Sequence, residues 1–104
     1  MTQISIAEGG TVYLHVAICD GDKPLAPKAQ CQFRLDVGKK RLENTKALTL
    51  ISDEAGTADT FIVFHRGREA ARGPVDMAYT IDAGTKITIG IGMLTIGLNR
   101  ITVE

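Results

Sequence analysis

Tryptophan is absent from this 104-residue sequence, and the other aromatic residues are scarce. There are two tyrosines and three phenylalanines, whereas apolar residues make up 44% of the chain. A hydrophobic core must therefore be built from isoleucine, valine and leucine side chains. The apolar fraction is that of an ordinary globular protein and not of a disordered chain. The length suits one domain, which we place at residues 1–104.

Net charge is also absent, since twelve lysine and arginine residues balance twelve aspartate and glutamate residues. A neutral chain has no overall electrostatic attraction to nucleic acid or to an anionic membrane. Two short basic clusters occur, one at residues 39–41 and one formed by the arginines between residues 66 and 72. Glu43 and Glu69 dilute them, and no aromatic residues are interleaved for base stacking. We interpret both clusters as solvated loop charge and predict neither nucleic-acid nor membrane partners.

Long hydrophobic runs are missing as well. No apolar stretch approaches the ~20 residues that a membrane-spanning helix requires. Residues 1–6 do not show the basic region and following apolar stretch of a secretory signal. We therefore expect the chain to act where it is made, in the cytoplasm or in a virion, unless a signal was removed ahead of residue 1.

Cysteine is limited to Cys19 and Cys31. In the alternating pattern Cys19 shares an outward parity with Tyr13 and His15. Cys31 instead shares the inward parity of Phe33. Cysteines of opposite parity on neighbouring strands seldom bring their Cβ atoms within disulfide distance. We predict two free thiols, one buried and one near a loop.

Motifs for catalysis or metal binding are lacking too. His15 and His65 are the only histidines, and no H-x-H or C-x-x-C pair exists. The acidic residues at 20–22 and 53–54 lack the spacing of a calcium loop and suit turns. The glycines at 90–92 precede no predicted helix, as a phosphate-binding loop would require, and no G-x-S-x-G motif occurs. We predict a protein that is not an enzyme and that uses no cofactor or metal.

The pattern that is present has a period of two. Residues 11–19 alternate strictly between polar and apolar side chains, which is typical of a half-buried strand. Similar short strands recur at a spacing of about 8–12 residues, as in sandwiches. The sequence therefore predicts an all-β, immunoglobulin-like antiparallel β-sandwich of seven to eight short strands.

Residues 39–46 are predicted as a loop or one helical turn, and residues 66–74 as a charged loop. Shared parity predicts the following core residues: Val12, Leu14, Val16, Ile18, Phe33, Leu35, Met77, Tyr79, Ile87, Ile89 and Ile101.

Three turn motifs carry a family resemblance. They are the segment DGDKPLA at residues 20–26, the segment SDEAGTA at residues 52–58, and the ending LTIGLNRITV at residues 94–103. The first two resemble the turns of bacterial immunoglobulin-like domains of the invasin and adhesin type, and the ending resembles a corner of related sandwiches. The resemblance implies the sandwich fold. It does not imply an activity, because turn chemistry reports geometry.

Two segments of the sequence are more apolar than a sandwich strand requires. Residues 87–96 carry no charge, and residues 61–64 are apolar on both strand faces, although a sandwich strand needs only one buried face. An edge strand without a charged residue is a template for pairing with another strand. The alternative is that residues 88–96 lie in mid-sheet, covered by the loop at 66–74. We predict a protein partner or self-association, and the candidate interface residues are Thr88, Ile89, Gly90, Ile91, Gly92, Met93, Leu94, Phe61 and Val63.

Two functions from different classes fit these observations. The first is a non-catalytic structural or interaction module, with a fold-level analogy to bacteriophage capsid decoration and tail-associated proteins. The second is a ligand- or carbohydrate-binding immunoglobulin-like module of a bacterial surface adhesin or secreted enzyme. That function needs exposed aromatic rings for stacking on sugars, and Tyr13 is the aromatic residue with outward parity.

Overall fold

The structure, a computed structural model, describes residues 4–6, 9–36, 38–97 and 101–103. Within these residues every regular element is a β-strand, so the predicted all-β class is confirmed. This part of the chain includes no helix of the length and hydrophobicity needed to cross a lipid bilayer. The immunoglobulin-like type stays a prediction. In chain order the strands are β1 (Ile4–Ile6), β2 (Thr11–Asp20), β3 (Lys23–Pro24), β4 (Ala29–Asp36), β5 (Arg41–Asn44), β6 (Leu48–Ile51), β7 (Gly56–His65), β8 (Arg68–Ile81), β9 (Lys86–Ile89), β10 (Thr95–Gly97) and β11 (Ile101–Val103).

The described residues thus form eleven strands, where seven to eight were predicted. Four of them, β1, β3, β10 and β11, contain only two or three residues each. A segment of that length is too short to show a period of two, so the sequence pattern undercounts the strands.

Seven strands form one large antiparallel sheet. Six of them follow the order β10-β5-β4-β2-β7-β8, and β3 pairs with β2. In the centre of this sheet Leu14 of β2 lies opposite Cys31 of β4, and Val16 of β2 lies opposite Val63 of β7. The alternating apolar residues of β2 explain its central position, because a central strand must pack on at least one face. Residues 16–19 are all buried, so both faces of the sheet are covered at that end of β2.

A smaller sheet covers one face of the large one. It consists of β6 and β9 in antiparallel pairing. Leu48, Leu50 and Ile87 of the small sheet are buried in one cluster with Leu14 and Val16 of the large sheet. The main core therefore lies between two unequal sheets, which is a sandwich arrangement. The remaining strands, β1 and β11, pair in parallel as a separate sheet.

The predicted loop at residues 66–74 is wrong. Only Arg66 and Gly67 form a turn, with φ angles of 53° and 79°, and β8 then pairs with β7 as a hairpin. Two consecutive positive φ angles are the signature of the turn that matches the twist of a β-hairpin. Small residues such as Ala70 and Ala71 have low strand propensity, and this concealed the strand. Residues 41–44 likewise form β5 and not a loop.

The edge strand β8 contains a wide irregularity. Tyr79 lies opposite Ala58 and Pro74 lies opposite Thr60, so the four residues 75–78 face the single residue Asp59. Such a bulge interrupts the regular row of backbone donors and acceptors. A bulge and a proline are both features that protect an edge strand from pairing with another chain.

The predicted core residues have four outcomes. Leu14, Val16, Ile18, Phe33, Leu35 and Ile87 are buried, as predicted, and Val12 and Ile89 are partly buried against the same cluster. Tyr79 is 44% exposed, so its prediction as a core residue is wrong. It shares the inward face with its partner Ala58, but it lies on the edge strand β8. The side chains of Met77 and Ile101 lie outside the described part of the structure.

Candidate functional site

The two histidines lie outside any metal-binding cluster in the described part of the chain. Across the described residues, His, Cys, Asp and Glu side chains do not gather into any group of three or more that could hold a metal ion. His15 is exposed on the outer face of β2. His65 ends β7, and its Nδ1 atom is buried without a hydrogen-bond partner among the atoms described.

Burial lowers the pKa of His65, and the nearby charge of Arg66 lowers it further. The unfolded chain therefore binds more protons than the folded one as the pH falls below about 6.5. Stability that is present above this pH is expected to be lost as the pH falls toward the lowered pKa. Urea unfolding between about pH 7.5 and pH 5.5 should show this decline, and His65→Gln should flatten it. The exposed His15→Gln is the matched control, and a flattening as large in that variant would contradict the assignment to His65.

Both cysteines are free, which agrees with their opposite parity. Cys31 lies in the main core. Cys19 was predicted to lie near a loop, but its side chain is fully buried on the other face of the sheet, with Ala17 and Ile62. Burial raises the pKa of both thiols. A thiol that keeps its proton is a poor nucleophile, so neither cysteine has the properties of a reactive site.

The two basic clusters are partly neutralised by ion pairs. Arg72 lies opposite Ile62 in the β7–β8 ladder, and its Nη1 atom lies 2.5 Å from Oδ1 of Asp22. Its Nη2 and Nε atoms donate to the two carboxylate oxygens of Glu69 at 2.6 and 2.8 Å. These hydrogen bonds raise the pKa of Arg72, those to Glu69 most strongly.

In the other cluster, Lys39 and Arg41 share one carboxylate. Arg41 Nε lies 2.7 Å from Oε1 of Glu43, and Lys39 Nζ lies 3.4 Å from the same oxygen. The hydrogen bond from Arg41 is the main reason that the pKa of Glu43 is lowered. In each cluster, carboxylates on the same surface thus offset part of the positive charge.

The most distinctive feature of the surface is an apolar groove between β8 and β9, enclosing about 310 Å³. The large sheet contributes Ile18 and Phe61, which come from adjacent positions of β2 and β7. The full lining consists of Ile18, Phe61, Pro74, Val75, Tyr79, Ile87, Thr88, Ile89, Gly90, Met93, Leu94 and Thr95. Among the side chains that the structure describes, no charged one belongs to this lining. This is where the two unequal sheets leave the sandwich open.

The ring of Phe61 is positioned by a glycine on the neighbouring strand. Gly73 is the ladder partner of Phe61. A Cβ atom at residue 73 would lie 3.1 Å from Cζ and 3.2 Å from Cε1 of the ring. The ring therefore occupies the space that any other residue at 73 would need. This close approach explains a glycine inside an edge strand, where it otherwise weakens the sheet.

A buried asparagine holds the turn that forms the rim of the groove. The amide nitrogen of Asn44 donates to the carbonyl oxygens of Gly90 and Lys46, each at 3.0 Å, and its Oδ1 atom accepts from the backbone N–H of Leu94 at 3.0 Å. The backbone of Asn44 also accepts from Gly92 N–H and donates to Leu94. Only 1% of Asn44 is exposed. The turn at residues 90–94 is thus fixed by hydrogen bonds and not by packing alone.

The strand beside the groove has an open edge. Within the part of the chain that the structure describes, β9 pairs only with β6. Ser52 N–H donates to Thr85 C=O at 2.9 Å, which continues the β6–β9 ladder by one hydrogen-bonded position. Because hydrogen-bonded positions alternate in an antiparallel ladder, Ile87 and Ile89 bond toward β6. The backbone groups of Thr88 therefore point away from β6, toward the open edge.

The structure brings together six of the nine candidate interface residues. Phe61, Thr88, Ile89, Gly90, Met93 and Leu94 all line the groove. Val63 is fully buried in the main core, where no partner can contact it. Ile91 is 68% exposed but lies at a separate, more polar hollow beside Arg34. Gly92 is also outside the groove lining, and the nearest side-chain atom to a Cβ built there belongs to Glu43.

Sequence reasoning missed several groove residues. Val75 and Tyr79 come from β8, and Ile18 comes from the middle of the large sheet. Their position at the groove depends on which strands are neighbours, and no local pattern in the sequence encodes that.

Comparison of the chain with family models, with curated proteins and with solved structures gives no match.

Proposed function

We propose that this protein is a non-catalytic interaction module that binds an extended segment of a protein partner at the groove. In this mode the partner segment adds a strand to the open edge of β9 and places apolar side chains in the groove. Backbone hydrogen bonds then supply affinity, and the groove supplies selectivity. The observation that carries the proposal is the coincidence of an open strand edge with an uncharged groove along the same strand.

The chemistry of the groove defines the partner. Its described lining includes Phe61, Ile89 and Met93 and contains no charged side chain, so apolar inserted residues suit it best. A volume of about 310 Å³ is at the lower end of the ~300–1,000 Å³ of ligand pockets. The groove therefore receives one or two side chains and not a large ligand. The preferred partner is an extended, uncharged segment rich in β-branched residues.

A set of short extended peptides tests the proposal. Peptides with alternating valine or isoleucine residues are expected to bind with micromolar to millimolar affinity, whereas versions with a central aspartate are expected to fail. Met93→Asp should abolish binding because it places a charge at the groove. Ile51→Asp is the matched control. Ile51 is exposed to a similar degree, 55% against 64% for Met93, and it lies outside the groove.

Fluorescence anisotropy of labelled peptides measures these affinities, and circular dichroism confirms that both variants remain folded. Binding that is lost equally in Met93→Asp and Ile51→Asp would contradict the groove as the site. The absence of binding for every peptide would contradict the proposed function itself.

The family resemblance suggests the kind of assembly in which such a module would act. Bacterial immunoglobulin-like domains, and by analogy of fold the capsid decoration and tail-associated proteins of bacteriophages, act by contacts between protein surfaces. A repeating protein lattice would present many copies of one partner segment. We therefore include assembly on a virion in the proposal, and its support is the fold-level analogy given above.

Carbohydrate binding is the second candidate function, and one observation favours it. Tyr13 is 57% exposed on the outer face of the large sheet, where its hydroxyl accepts from Gln32 Nε2 at 3.4 Å. Thr45 in turn donates to Oε1 of Gln32 at 2.8 Å. A ring held in this way could stack on a sugar. The other aromatic residue of this face, Phe64, already carries Lys28 over its ring at 4.3 Å, so the platform for stacking is one ring wide.

A further inference from the structure

We propose that the polar hollow beside Arg34 binds the carboxylate of an acidic sugar unit, while the exposed ring of Tyr13 stacks on a neighbouring unit of the same glycan. The inference rests on the second candidate function, carbohydrate binding. It names the class of sugar and the residue that recognises its charge. It is independent of the groove between β8 and β9, because the two cavities share none of their described lining residues.

The polar hollow lies beside β4 and β5 and encloses about 590 Å³. This volume is within the ~300–1,000 Å³ of ligand sites and is larger than that of the groove. Charged and hydroxyl side chains, none of them fully buried, contribute a large part of the lining. The hollow therefore offers hydrogen-bond donors and acceptors together. Its described lining consists of Gly9, Arg34, Leu35, Asp36, Gly38, Glu43, Asn44, Thr45 and Ile91.

Arg34 is the cation that a ligand carboxylate meets in this hollow. Its side chain is exposed, and none of the ion pairs among the described residues involves it. Glu43 is its ladder neighbour, but Arg41 at 2.7 Å and Lys39 at 3.4 Å engage that carboxylate instead. A guanidinium group presents its N–H donors in a planar fork that matches a carboxylate. Arg34 is therefore available for a charge-assisted, bidentate contact with a ligand.

The acceptors in the hollow favour a sugar acid over a phosphodiester. Oδ1 of Asp36 accepts from the backbone N–H of Lys39 at 3.1 Å, and Oε1 of Glu43 is the oxygen that Lys39 and Arg41 share. The second oxygen of each carboxylate has no partner among the described residues, so it can accept from a hydroxyl group. A sugar acid carries hydroxyl donors beside its carboxylate. A phosphodiester backbone is negative along its whole length, and both carboxylates repel it.

Hydrogen bonds connect the stacking ring to the hollow. Thr45, which lines the hollow, donates to Oε1 of Gln32 at 2.8 Å, and Nε2 of Gln32 donates to the hydroxyl of Tyr13 at 3.4 Å. These contacts hold the end of the ring, whereas 57% of Tyr13 is exposed. Gln32 is the ladder partner of Tyr13, and it lies two residues from Arg34, on the same face and roughly 7 Å away along β4. One oligosaccharide can therefore contact both Tyr13 and Arg34.

A short oligogalacturonate and its methyl ester are the matched probes. The acid carries a carboxylate on each unit, and the ester keeps the hydroxyl groups but has no charge. The acid is expected to bind, and the ester is expected to bind about tenfold more weakly, because it cannot form the charge-assisted contact with Arg34. Isothermal titration calorimetry measures both affinities, and added salt should weaken binding of the acid alone.

Substitution of the arginine tests the carboxylate contact. Arg34→Gln should weaken binding of the acid about tenfold and leave binding of the ester nearly unchanged. Since both changes remove the same contact, the two losses should not add when they are combined. Arg68→Gln is the matched control, because Arg68 is also exposed but lies at the start of β8, outside the hollow.

Substitution of the tyrosine tests the stacking contact. Tyr13→Ala should weaken binding of the acid and of the ester alike, by about threefold or more. Tyr79→Ala is the matched control, because Tyr79 is 44% exposed and lines the groove instead of the hollow. Circular dichroism confirms that the four variants remain folded, as expected for exposed positions.

Three results would overturn the inference. Equal affinity for the acid and the ester, or equal effects of Arg34→Gln and Arg68→Gln, would refute Arg34 as the carboxylate ligand. Carbohydrate binding itself would stand in that case if both probes still bound in a Tyr13-dependent way. No binding of either probe up to about 10 mM would refute both. Tighter, Arg34-dependent binding of an oligothymidylate would assign the hollow to nucleic acid. The groove is tested separately, by the peptides and Met93→Asp.

Discussion

Replacing Asn44 with alanine is expected to lower the free energy of unfolding by about 2–4 kcal/mol. The Asn44 side chain makes three hydrogen bonds to the backbone, to Lys46, Gly90 and Leu94. The N–H of Leu94 is the group most affected, because it would lose its acceptor in a buried place. A buried donor without a partner costs more than an average hydrogen bond contributes. The loss of the amide also leaves a cavity in a residue that is almost fully buried.

Urea unfolding of Asn44→Ala and Thr45→Ala makes the comparison. Thr45 is the next residue, and its hydroxyl donates to Gln32 in a more exposed place. Thr45→Ala is expected to cost less than about 1 kcal/mol. If the two variants lost the same free energy of unfolding, the side-chain hydrogen bonds of Asn44 would not be what holds the turn at residues 90–94.

The Asn44 substitution also connects stability to the site. The turn at residues 90–94 carries Met93 and Leu94, which line the groove. A turn released from Asn44 should exchange its amide protons faster, and Leu94 should show the largest change. Peptide binding should weaken in parallel, because a mobile rim must be ordered on binding.

The fold could be predicted from the sequence where strands are long and alternate. The residues of β2 show this most clearly, since Leu14 and Val16 are buried as their parity requires. The pattern failed where small residues form an edge strand, as at Ala70 and Ala71 in β8. Those side chains are buried by the neighbouring strand and not by their own hydrophobicity, so local propensity gave no signal.

The candidate site could be predicted in part. The absence of charge from residues 87–96 correctly marked a strand that lies at a sheet edge in the described structure. Tyr79 and Val75 reach the same groove only because β8 and β9 are neighbours across the open side of the sandwich. Asn44 carried no signal either, since asparagine in a polar segment is usually a turn residue. Its burial depends on a contact 46 to 50 residues distant in the chain.

Leu14→Ala is expected to cost about 3–5 kcal/mol, and Ile89→Ala about 1–2 kcal/mol. Leu14 is fully buried in the central strand of the large sheet, where neighbouring strands prevent collapse of the cavity. Ile89 is only partly buried, because one side of its strand borders the groove. Shortening the Ile89 side chain therefore removes less buried apolar surface than shortening Leu14 does.

The same two variants separate stability from binding. Leu14→Ala, measured by urea unfolding, should lose much stability and keep the peptide affinity of the folded chain, because Leu14 does not line the groove. Ile89→Ala should keep most of the stability and lose peptide affinity. It removes apolar surface from the wall of the groove, whereas most of the core stays intact. Equal losses of stability would mean that Ile89 packs as tightly as Leu14 and that the groove is closed in solution. A peptide affinity unchanged by Ile89→Ala would place the binding surface elsewhere, because an inserted side chain cannot avoid the wall that β9 provides.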